Sequence, residues 1–435
     1  MGPQGWTVTV ARTVRTSTSR TAWRRCGSGN AADADRLVGS FGQAPSESSR
    51  SGRSAAASKD STVRMRVHQA LLKVHGLRAS AGHGSGSAVR GMALAPRDAA
   101  PDRDVTPEEL SMARSKDGFA SRRAAEFDAL AFDVCGTEDI RREAHTLPQA
   151  DFAELYERTS TPLVVSGVVE HESWPASTRW RGYDSLLRQN GAAEMRLKCG
   201  VDGGMDVKIR LSDFVDYAAR NEDDSPLYVF DQGADANFVD ICLEAYGVPS
   251  FVGEDLFELV DESQRPPYKW WLLGPKRSGT AAHVDPLGTS AWNTVVSGRK
   301  RWVLFEPDTP RSVAQGWDYV GDHEDDEPVN FFVDVLPRLR RAHPEVRRIE
   351  FVQHPGETVY VPGGWWHAVI NLDDSIGITQ NYASPANFDK VWDQTRTSRV
   401  ETANAWLLQL EASPAPEHRL LARRARRRPP SDAPE

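Results

Sequence analysis

The stretch GTAAHVDPLGTSAWNTVVSGRK, residues 279–300, places one histidine and one aspartate two positions apart among small and β-branched residues. β-Branched residues favour strands, and residues i and i+2 of a strand point to the same face of a sheet. His283 and Asp285 would therefore direct an imidazole and a carboxylate at the same volume. A strand that serves only the fold has little use for this pair, so the stretch predicts β-structure with a binding or catalytic site.

The same pattern of short β-rich segments continues on both sides of this stretch, between residues 268 and 384. Short β-rich runs follow one another and are separated by turns: YKWWLLG, TAAHVDP, SAWNTVV, KRWVLFEP, IEFVQHPGE, TVYVPGG, WWHAVIN and SIGITQNYAS. Many short strands at regular spacing predict an antiparallel sandwich or barrel, so the fold class is mainly β. Upstream, residues 147–169 and 211–231 each predict a helix followed by a buried strand.

A second histidine lies in GGWWH, residues 363–367, where a Gly-Gly turn leads into a strand. A lone HxD pair is weak evidence for a metal site, but His367 adds a third ligand. Two histidines and one carboxylate form a facial triad with open coordination positions, and that arrangement favours non-haem Fe(II) used with dioxygen. A closed zinc site would usually need a fourth protein ligand.

An oxygenase of this kind needs electrons, and 2-oxoglutarate is the usual source. Its distal carboxylate loses water on binding and needs a cation or several hydrogen-bond donors. Lys300, which opens the strand KRWVLFEP, is the candidate, although a lysine at a turn is often only a surface residue. In SIGITQNYAS, Ser375, Gly377, Thr379 and Asn381 share one small polar face, which suits either a lined cavity or exposure to water.

The amino-acid composition indicates which classes of structure and compartment suit the rest of the chain. Apolar residues make up 39% of 435 residues, which is low for a globular chain. Residues 1–105 are rich in Ser, Arg, Gly and Ala and keep no lasting period, so we expect a disordered N-terminal region. The cysteines are scattered, which argues for a reducing compartment. No apolar run approaches the roughly 18 residues of a membrane helix, so we expect no membrane partner.

The C-terminal region predicts a helix and a basic tail. In SRVETANAWLLQLE, residues 398–411, an apolar stripe would either pair two chains in a homodimer or pack on the protein's own barrel. The stripe comprises Val400, Ala403, Leu407 and Leu410. The basic run RRARRRPP is either a solvated tail or a patch for nuclear import or for RNA and other nucleic acids, although the net charge is −8. We expect a nuclear protein, with an organelle or the cytoplasm as alternatives because the early Arg-rich region also suits a transit peptide.

Two long segments resemble the JmjC domain of Fe(II)- and 2-oxoglutarate-dependent oxygenases, most closely the bifunctional arginine demethylase and lysyl-hydroxylase branch. These segments are RPPYKWWLLGPKRSGTAAHVDPLGTSAWNTVVSGRKRWVLF and PGETVYVPGGWWHAVINLDDSIGITQNYAS. RLKCGVDGGMDVKIRLSDFVDY and DDSPLYVFD resemble the family's upstream segment, so the resemblance covers about residues 145–395. It implies a double-stranded β-helix, the cupin jelly roll, with flanking α-helices. The expected organisation is a disordered region (1–105), a mixed helical and strand flank (106–236), a JmjC or cupin catalytic domain (237–397) and a C-terminal helix with a basic tail (398–435).

The resemblance also implies roles for individual residues. The iron ligands would be His283, Asp285 and His367. The residues that hold 2-oxoglutarate would be Thr280, Asn293, Lys300 and Thr379. The residues that line the pocket would be Tyr228, Trp270 and Asn381.

The activity that the resemblance implies is hydroxylation of lysine side chains in proteins, with Fe(II), 2-oxoglutarate and O2. Demethylation of methylated arginine, for instance in histones, by the same iron chemistry is the nearest alternative. A catalytically idle scaffold and a metal-storing cupin are further alternatives, but a complete triad together with Lys300 argues against both. The expected partner is a protein that presents lysine or methylated arginine, and the acidic loop at residues 316–330 could attract such a cationic side chain.

Overall fold

The described part of the chain covers most of the sequence beyond residue 139. The computed structural model describes residues 127, 130, 140–201, 205–221, 225–233, 241–321 and 327–429. The predicted disordered region at residues 1–105 lies outside the described residues, as do residues 322–326 of the acidic loop. Within these described ranges, no helix has both the length and the apolar character needed to cross a membrane.

The described ranges contain strands that form two sheets. In chain order they are β1 (Arg141–Ala144), β2 (Leu163–Ser166), β3 (Arg196–Val201), β4 (Met205–Arg210), β5 (Tyr228–Asp231), β6 (Lys269–Gly274), β7 (Gly279–His283), β8 (Ser290–Ser297), β9 (Lys300–Phe305), β10 (Arg348–Gln353), β11 (Thr358–Val361), β12 (Trp366–Asn371) and β13 (Ser375–Tyr382). They form one sheet in the order β1-β2-β11-β8-β13-β6-β5-β3-β4 and a smaller sheet in the order β10-β9-β12-β7.

The path of the chain between the two sheets identifies the fold. Strands β6, β8, β11 and β13 belong to the larger sheet, and β7, β9, β10 and β12 belong to the smaller one. The chain therefore crosses repeatedly from one sheet to the other, and these eight strands pair only in antiparallel fashion with one another. This is a double-stranded β-helix, so the predicted fold class is confirmed. The eight β-rich runs of the sequence coincide with β6 to β13.

Helices flank the two sheets. The α-helices are α1 (Gln149–Phe152), α2 (Val168–His171), α3 (Ala176–Arg179), α4 (Tyr183–Leu187), α5 (Leu211–Arg220), α6 (Arg311–Gln315), α7 (Pro328–Asn330), α8 (Leu336–Ala342), α9 (Phe388–Ser398), α10 (Val400–Ala412) and α11 (Pro416–Arg427). Single π-helical turns continue α1 at Ala153–Glu157 and link α7 to α8 at Phe331–Val335. Short 3-10 turns include Leu256–Leu259, Pro286–Gly288 and Trp317–Tyr319.

An apolar core fills part of the space between the sheets. Trp302 and Leu304 of the smaller sheet are buried together with Val164, Val359 and Val361 of the larger one. Residues on the opposite faces of the sheets join two further cores, which the flanking helices cover. Because successive residues of a strand face opposite sides, one strand such as β9 serves two cores at once.

A buried charge cluster sits on the outer face of the smaller sheet. Glu350 of β10 is fully buried and accepts a hydrogen bond of 2.7 Å from Arg301 of β9. Arg340 of α8 donates to the other carboxylate oxygen at 2.9 Å, and Arg348 lies 3.5 Å away. Buried charges need such pairing because desolvation costs several kcal/mol per ion, so this cluster ties α8 to the sheet.

The C-terminal region forms three helices that pack on one another and on the barrel. Trp406 of α10 is fully buried and donates a hydrogen bond of 2.8 Å to the carbonyl of Leu256. The apolar stripe predicted for this helix is partly wrong. Val400 is 57% exposed, whereas Thr402, Ala403, Trp406 and Leu410 form the buried face. The protein's own chain covers that face.

Helix α11 contains most of the basic run for which the sequence predicted a tail. Arg424 pairs with Asp389 of α9 at 2.8 Å, and Arg428 just beyond the helix lies 3.3 Å from the same carboxylate. Arg426 forms an ion pair with Glu411 of α10. Part of the positive charge of this segment is therefore used to hold the three helices together.

Candidate active site

The two predicted histidine ligands face each other across neighbouring strands. His283 ends β7 and His367 lies in β12, and the two residues are partners in the antiparallel register. Their ring centroids are 4.2 Å apart. Asp285 follows two residues after β7, at the start of the Pro286–Gly288 turn, and one ligand atom from each of the three side chains lies within 4.8 Å of the others. The structure thus brings the predicted trio together.

The backbone fixes which atoms of this trio face the shared volume. Nδ1 of His283 lies 2.8 Å from the carbonyl oxygen of Ala281, and Nδ1 of His367 lies 3.1 Å from that of Trp365. A carbonyl only accepts, so each Nδ1 carries the proton and each Nε2 keeps a lone pair. Oδ2 of Asp285 is buried and has no hydrogen-bond partner in the described structure. Two imidazole nitrogens and one orphaned carboxylate oxygen fit the donor set of a non-haem iron site.

Burial keeps the inner histidine neutral. The pKa of His367 is lowered to about 4, mainly by desolvation and also by the neighbouring His283, while Asp285 opposes the shift. A metal ligand must be an unprotonated imidazole nitrogen, so this environment prepares His367 for coordination at neutral pH.

Lys300 is fully buried, which excludes the surface alternative that the sequence left open. It begins β9, and its ammonium donates a hydrogen bond of 2.7 Å to the hydroxyl of Tyr228. Burial lowers the pKa of Lys300 to about 7, and burial raises the pKa of Tyr228. No carboxylate in the described part of the chain pairs with this ammonium. A buried ammonium without an anionic partner costs free energy, and a bound carboxylate would offset that cost.

Sequence reasoning missed the polar residues that support this lysine. Asn371 of β12 is opposite Lys300 in the register, donates 2.8 Å to the hydroxyl of Ser278 and accepts 2.7 Å from Ser375. Asn371 also hydrogen-bonds with Tyr228. The signal was available, because Asn371 lies four residues after His367 and therefore on the same face of the predicted strand WWHAVIN.

Three of the predicted residues line up across the larger sheet. Asn293 of β8, Thr379 of β13 and Trp270 of β6 are direct partners in the register, so their side chains share one face. The Thr379 hydroxyl donates 3.0 Å to the carbonyl of Trp292. Oδ1 of Asn293 is buried without a partner among the described residues, which leaves this amide available to a ligand.

The positions of the other two predicted residues, Asn381 and Thr280, give weaker support for a role in ligand binding. Asn381 is buried two residues further along β13, and its amide donates 3.0 Å to the hydroxyl of Thr289 in the turn after Asp285. Thr280 lies on β7 opposite Val369 and is half-buried. In the part of the chain that the structure covers, no hydrogen bond joins the Thr280 hydroxyl to the other predicted residues.

Comparison with known proteins agrees with this geometry. Residues 270–382 match the family model described as "JmjC domain, hydroxylase". The chain is 38% identical over 274 residues to the bifunctional arginine demethylase and lysyl-hydroxylase psr-1 of Caenorhabditis elegans, a match that covers 62% of this chain and 67% of that protein. For the protein of the same name from Caenorhabditis briggsae the identity is 38% over 280 residues, covering 62% and 69%. The 2-oxoglutarate and iron-dependent oxygenase JMJD4 of Homo sapiens is 28% identical over 262 residues, covering 56% and 61%. The chain belongs to the JmjC-domain hydroxylase family.

Proposed function

We propose that this protein is an Fe(II)- and 2-oxoglutarate-dependent oxygenase that hydroxylates lysine side chains of proteins, with demethylation of methylated arginine as a second activity. The observation that carries the proposal is the His283, Asp285 and His367 trio in the same barrel as the buried Lys300, which no carboxylate of the described residues neutralises. The names of the psr-1 relatives support both activities. An arginine-specific demethylase JMJ22 of Arabidopsis thaliana, 35% identical over 238 residues that cover 54% of this chain and 45% of that protein, supports the second.

The trio would hold the iron through Nε2 of each histidine and the carboxylate of Asp285. Iron in such a site supplies the redox chemistry that converts dioxygen, 2-oxoglutarate and a substrate C–H group into succinate, carbon dioxide and a hydroxylated carbon. Each Nδ1–H donates a hydrogen bond to a backbone carbonyl, and these bonds hold both rings with Nε2 toward the shared volume. The three side chains come from two adjacent strands and one turn, which makes the arrangement rigid.

Lys300 and Tyr228 would bind the distal carboxylate of 2-oxoglutarate. A carboxylate beside Lys300 favours the charged ammonium, and the Tyr228 hydroxyl can donate to the same group. Lys300 lies four residues from Leu304, the partner of His367 in β12, which corresponds to about 13 Å along the strand. This separation leaves room for a small dicarboxylate between the trio and the ammonium. Asn293 and Thr379 on the opposite sheet would flank the bound molecule.

The two activities differ only in the carbon that is hydroxylated. On a lysine side chain the product is hydroxylysine, which is stable. On an N-methyl group of arginine the product is a hemiaminal, which breaks its C–N bond and releases formaldehyde. The same site therefore serves both reactions if it accepts both cationic side chains.

Succinate release by the purified full chain tests the proposal. The protein would be loaded anaerobically with Fe(II) and given 2-oxoglutarate, O2 and either a lysine-rich or a methyl-arginine peptide, with Asp285→Ala as the control. We expect turnover that depends on the peptide, with one added oxygen atom on lysine by mass spectrometry or formaldehyde release from methyl-arginine. Absence of both iron and 2-oxoglutarate binding would refute the oxygenase proposal and favour a scaffold.

Nucleic-acid binding by the C-terminal region is a second proposal, which the exposed arginines of α11 support. Arg423 and Arg427 are exposed and lie four residues apart on the helix, so they share a face. In the described chain neither has an ion-pair partner. We expect Arg423→Glu with Arg427→Glu to weaken binding of single-stranded RNA and to flatten its salt dependence. Equal binding by the double variant would refute this proposal. Nuclear localisation and a homodimer stay predictions.

A further inference from the structure

One turn begins at Asp285 and another leads to His367, and these two turns touch each other. The Pro286–Gly288 turn follows Asp285 directly, and the Gly363–Gly364 turn precedes His367 by three residues. A Cβ placed on Gly363 would lie 2.2 Å from the carbonyl oxygen of Gly288, so only a glycine allows this approach. The distance between Asp285 and His367 therefore depends on how these two turns are held together.

Helix α9 reaches both turns through one side chain. Nζ of Lys390 donates a hydrogen bond of 2.8 Å to the carbonyl of Gly363. The stem of the same lysine lies over the other turn, since a Cβ on Gly288 would come 2.7 Å from its Cγ and 3.0 Å from its Cδ. Lys390 thus bridges the turn that carries Asp285 and the turn that leads to His367.

The chemistry of Lys390 is unusual for a residue that only covers surface. The residue as a whole is exposed, desolvation of its ammonium lowers its pKa, and within the described residues it has no carboxylate partner. A lysine that only covers surface with its stem leaves its ammonium in water, whereas the ammonium of Lys390 is bonded to the backbone. An apolar residue at this position could not form the hydrogen bond that Lys390 donates to the Gly363 carbonyl.

Two further contacts connect the same helix region to the same turns. Asn387, which precedes α9, donates 3.0 Å to the hydroxyl of Ser290, and that hydroxyl accepts 3.2 Å from the backbone N–H of Gly363. Leu287 adopts a left-handed backbone, with φ 59° and ψ 13°, which non-glycine residues rarely do. Its side chain packs against the C-terminal helices. Packing of this kind is what maintains a strained backbone beside a functional site.

We infer that Lys390 is a positioning residue for the metal centre, because it locks together the turn that carries Asp285 and the turn that leads to His367. The inference rests on the proposed function, since it presupposes that the trio binds a metal ion. Asn387 is the second link from the same helix region. The C-terminal helices, which lie outside the family match at residues 270–382, would then contribute to metal affinity although they supply no ligand.

Metal binding by the full-length protein without 2-oxoglutarate tests this inference. Mn(II) serves as the probe, with the loss of its free-ion electron paramagnetic resonance signal giving the dissociation constant. Lys390→Met keeps the length of the side chain and removes the hydrogen-bond donor. Lys276→Met is the matched control because it makes the same change in a different turn, the one between β6 and β7. We expect Lys390→Met to raise the dissociation constant by about 10- to 100-fold, the usual effect of losing a residue that supports a metal ligand. Lys276→Met should stay within about twofold of the wild type.

The visible absorption of bound Co(II) provides a second reading that a merely structural role would not change. We expect Lys390→Met to alter the intensity of these bands because the ligand geometry loosens. Unchanged Mn(II) affinity and an unchanged Co(II) spectrum, with only a lower melting temperature, would overturn the inference. If the wild type itself binds neither ion, the proposed function fails and the inference fails with it.

Asn387→Ala keeps the inference testable if Lys390→Met does not fold. This variant breaks the link through Ser290 and leaves Lys390 in place. We expect a several-fold rise of the Mn(II) dissociation constant. A value within about twofold of the wild type would overturn the inference that this helix positions the ligands.

Discussion

Replacing Lys300 by methionine gives the sharpest test of the site. The side chain is fully buried, its ammonium bonds to Tyr228 at 2.7 Å, and no carboxylate of the described protein neutralises it. Methionine keeps the length of the stem and removes the charge. The distal carboxylate of 2-oxoglutarate would then be buried without its cation, a loss of about 2–5 kcal/mol. At about 1.4 kcal/mol per decade, the KM for 2-oxoglutarate should rise by about 30- to 4,000-fold.

The pH dependence of 2-oxoglutarate binding follows from the same residue. Burial lowers the pKa of Lys300 to about 7 in the free protein, whereas a carboxylate pairs with the charged form. Above pH 7 binding must therefore draw a proton onto the lysine. The KM should rise with pH by up to about tenfold per unit. This slope should disappear in Lys300→Met, which has nothing to protonate.

The assay is initial-rate succinate production at a series of 2-oxoglutarate concentrations between about pH 6.5 and pH 8.5, a range centred near the pKa of this lysine. Lys300 is not a metal ligand, so the Mn(II) affinity of Lys300→Met should match the wild type. A rise in KM of less than about threefold would refute Lys300 as the carboxylate partner. Loss of Mn(II) binding would mean that the variant disturbs the whole barrel.

Three further substitutions test other parts of the structure. His283→Ala removes one of the three proposed ligands, so metal-dependent turnover should vanish while the melting temperature is kept; retained activity would remove the metal assignment. Gly363→Ala places a Cβ 2.2 Å from the Gly288 carbonyl and should lower Mn(II) affinity, whereas the control Gly182→Ala meets nothing within 4 Å and should behave as the wild type. Glu350→Ala leaves the surrounding guanidinium groups without their buried acid, and denaturant unfolding should report a loss of about 3–5 kcal/mol; a smaller change would mean that water reaches the cluster.

The sequence predicted the strands and the metal trio because both depend on a period of two. The β-rich runs are short and regularly spaced, and they coincide with β6 to β13. His283 and Asp285 share a face for the same reason, although Asp285 lies just past the end of its strand. GGWWH placed His367 near the start of a later strand, β12. Local sequence patterns were therefore enough to single out the three side chains that the structure brings together.

The residues that hold the site together could not be predicted in that way. Lys390 lies on α9 and Asn387 just before that helix, well after His367 in the chain, so no local pattern connects them to the Gly363 turn. The buried face of α10 was also not predictable from the sequence. The predicted stripe included Val400, which is exposed, and omitted Trp406, which is buried in the core. Such contacts are set by the path of the chain between elements. They become visible only when the elements are assembled.

The free-energy cost of burying Lys300 favours an enzyme that binds 2-oxoglutarate over an idle scaffold. Its pKa falls from an ordinary 10.5 to about 7 on burial, so at about 1.4 kcal/mol per unit the folded state loses on the order of 4–5 kcal/mol at neutral pH. The unfolded chain binds this proton more tightly. The cost is therefore complete below pH 7 and declines as the pH rises toward 10.5. A protein with no anion to bind would be more stable with an apolar residue here.

Lys300→Met should consequently act in opposite directions on stability and on function. Without cofactors at pH 7, its melting temperature should exceed that of the wild type, and the difference should roughly halve by about pH 9 as the wild-type cost declines. The same variant should lose 2-oxoglutarate binding, as expected where a site is built at the expense of the fold. A lower melting temperature would mean that the hydrogen bond from Lys300 to Tyr228 outweighs the cost of burial. The lysine would then belong to the structure of the barrel, and the carboxylate site would have to be sought elsewhere.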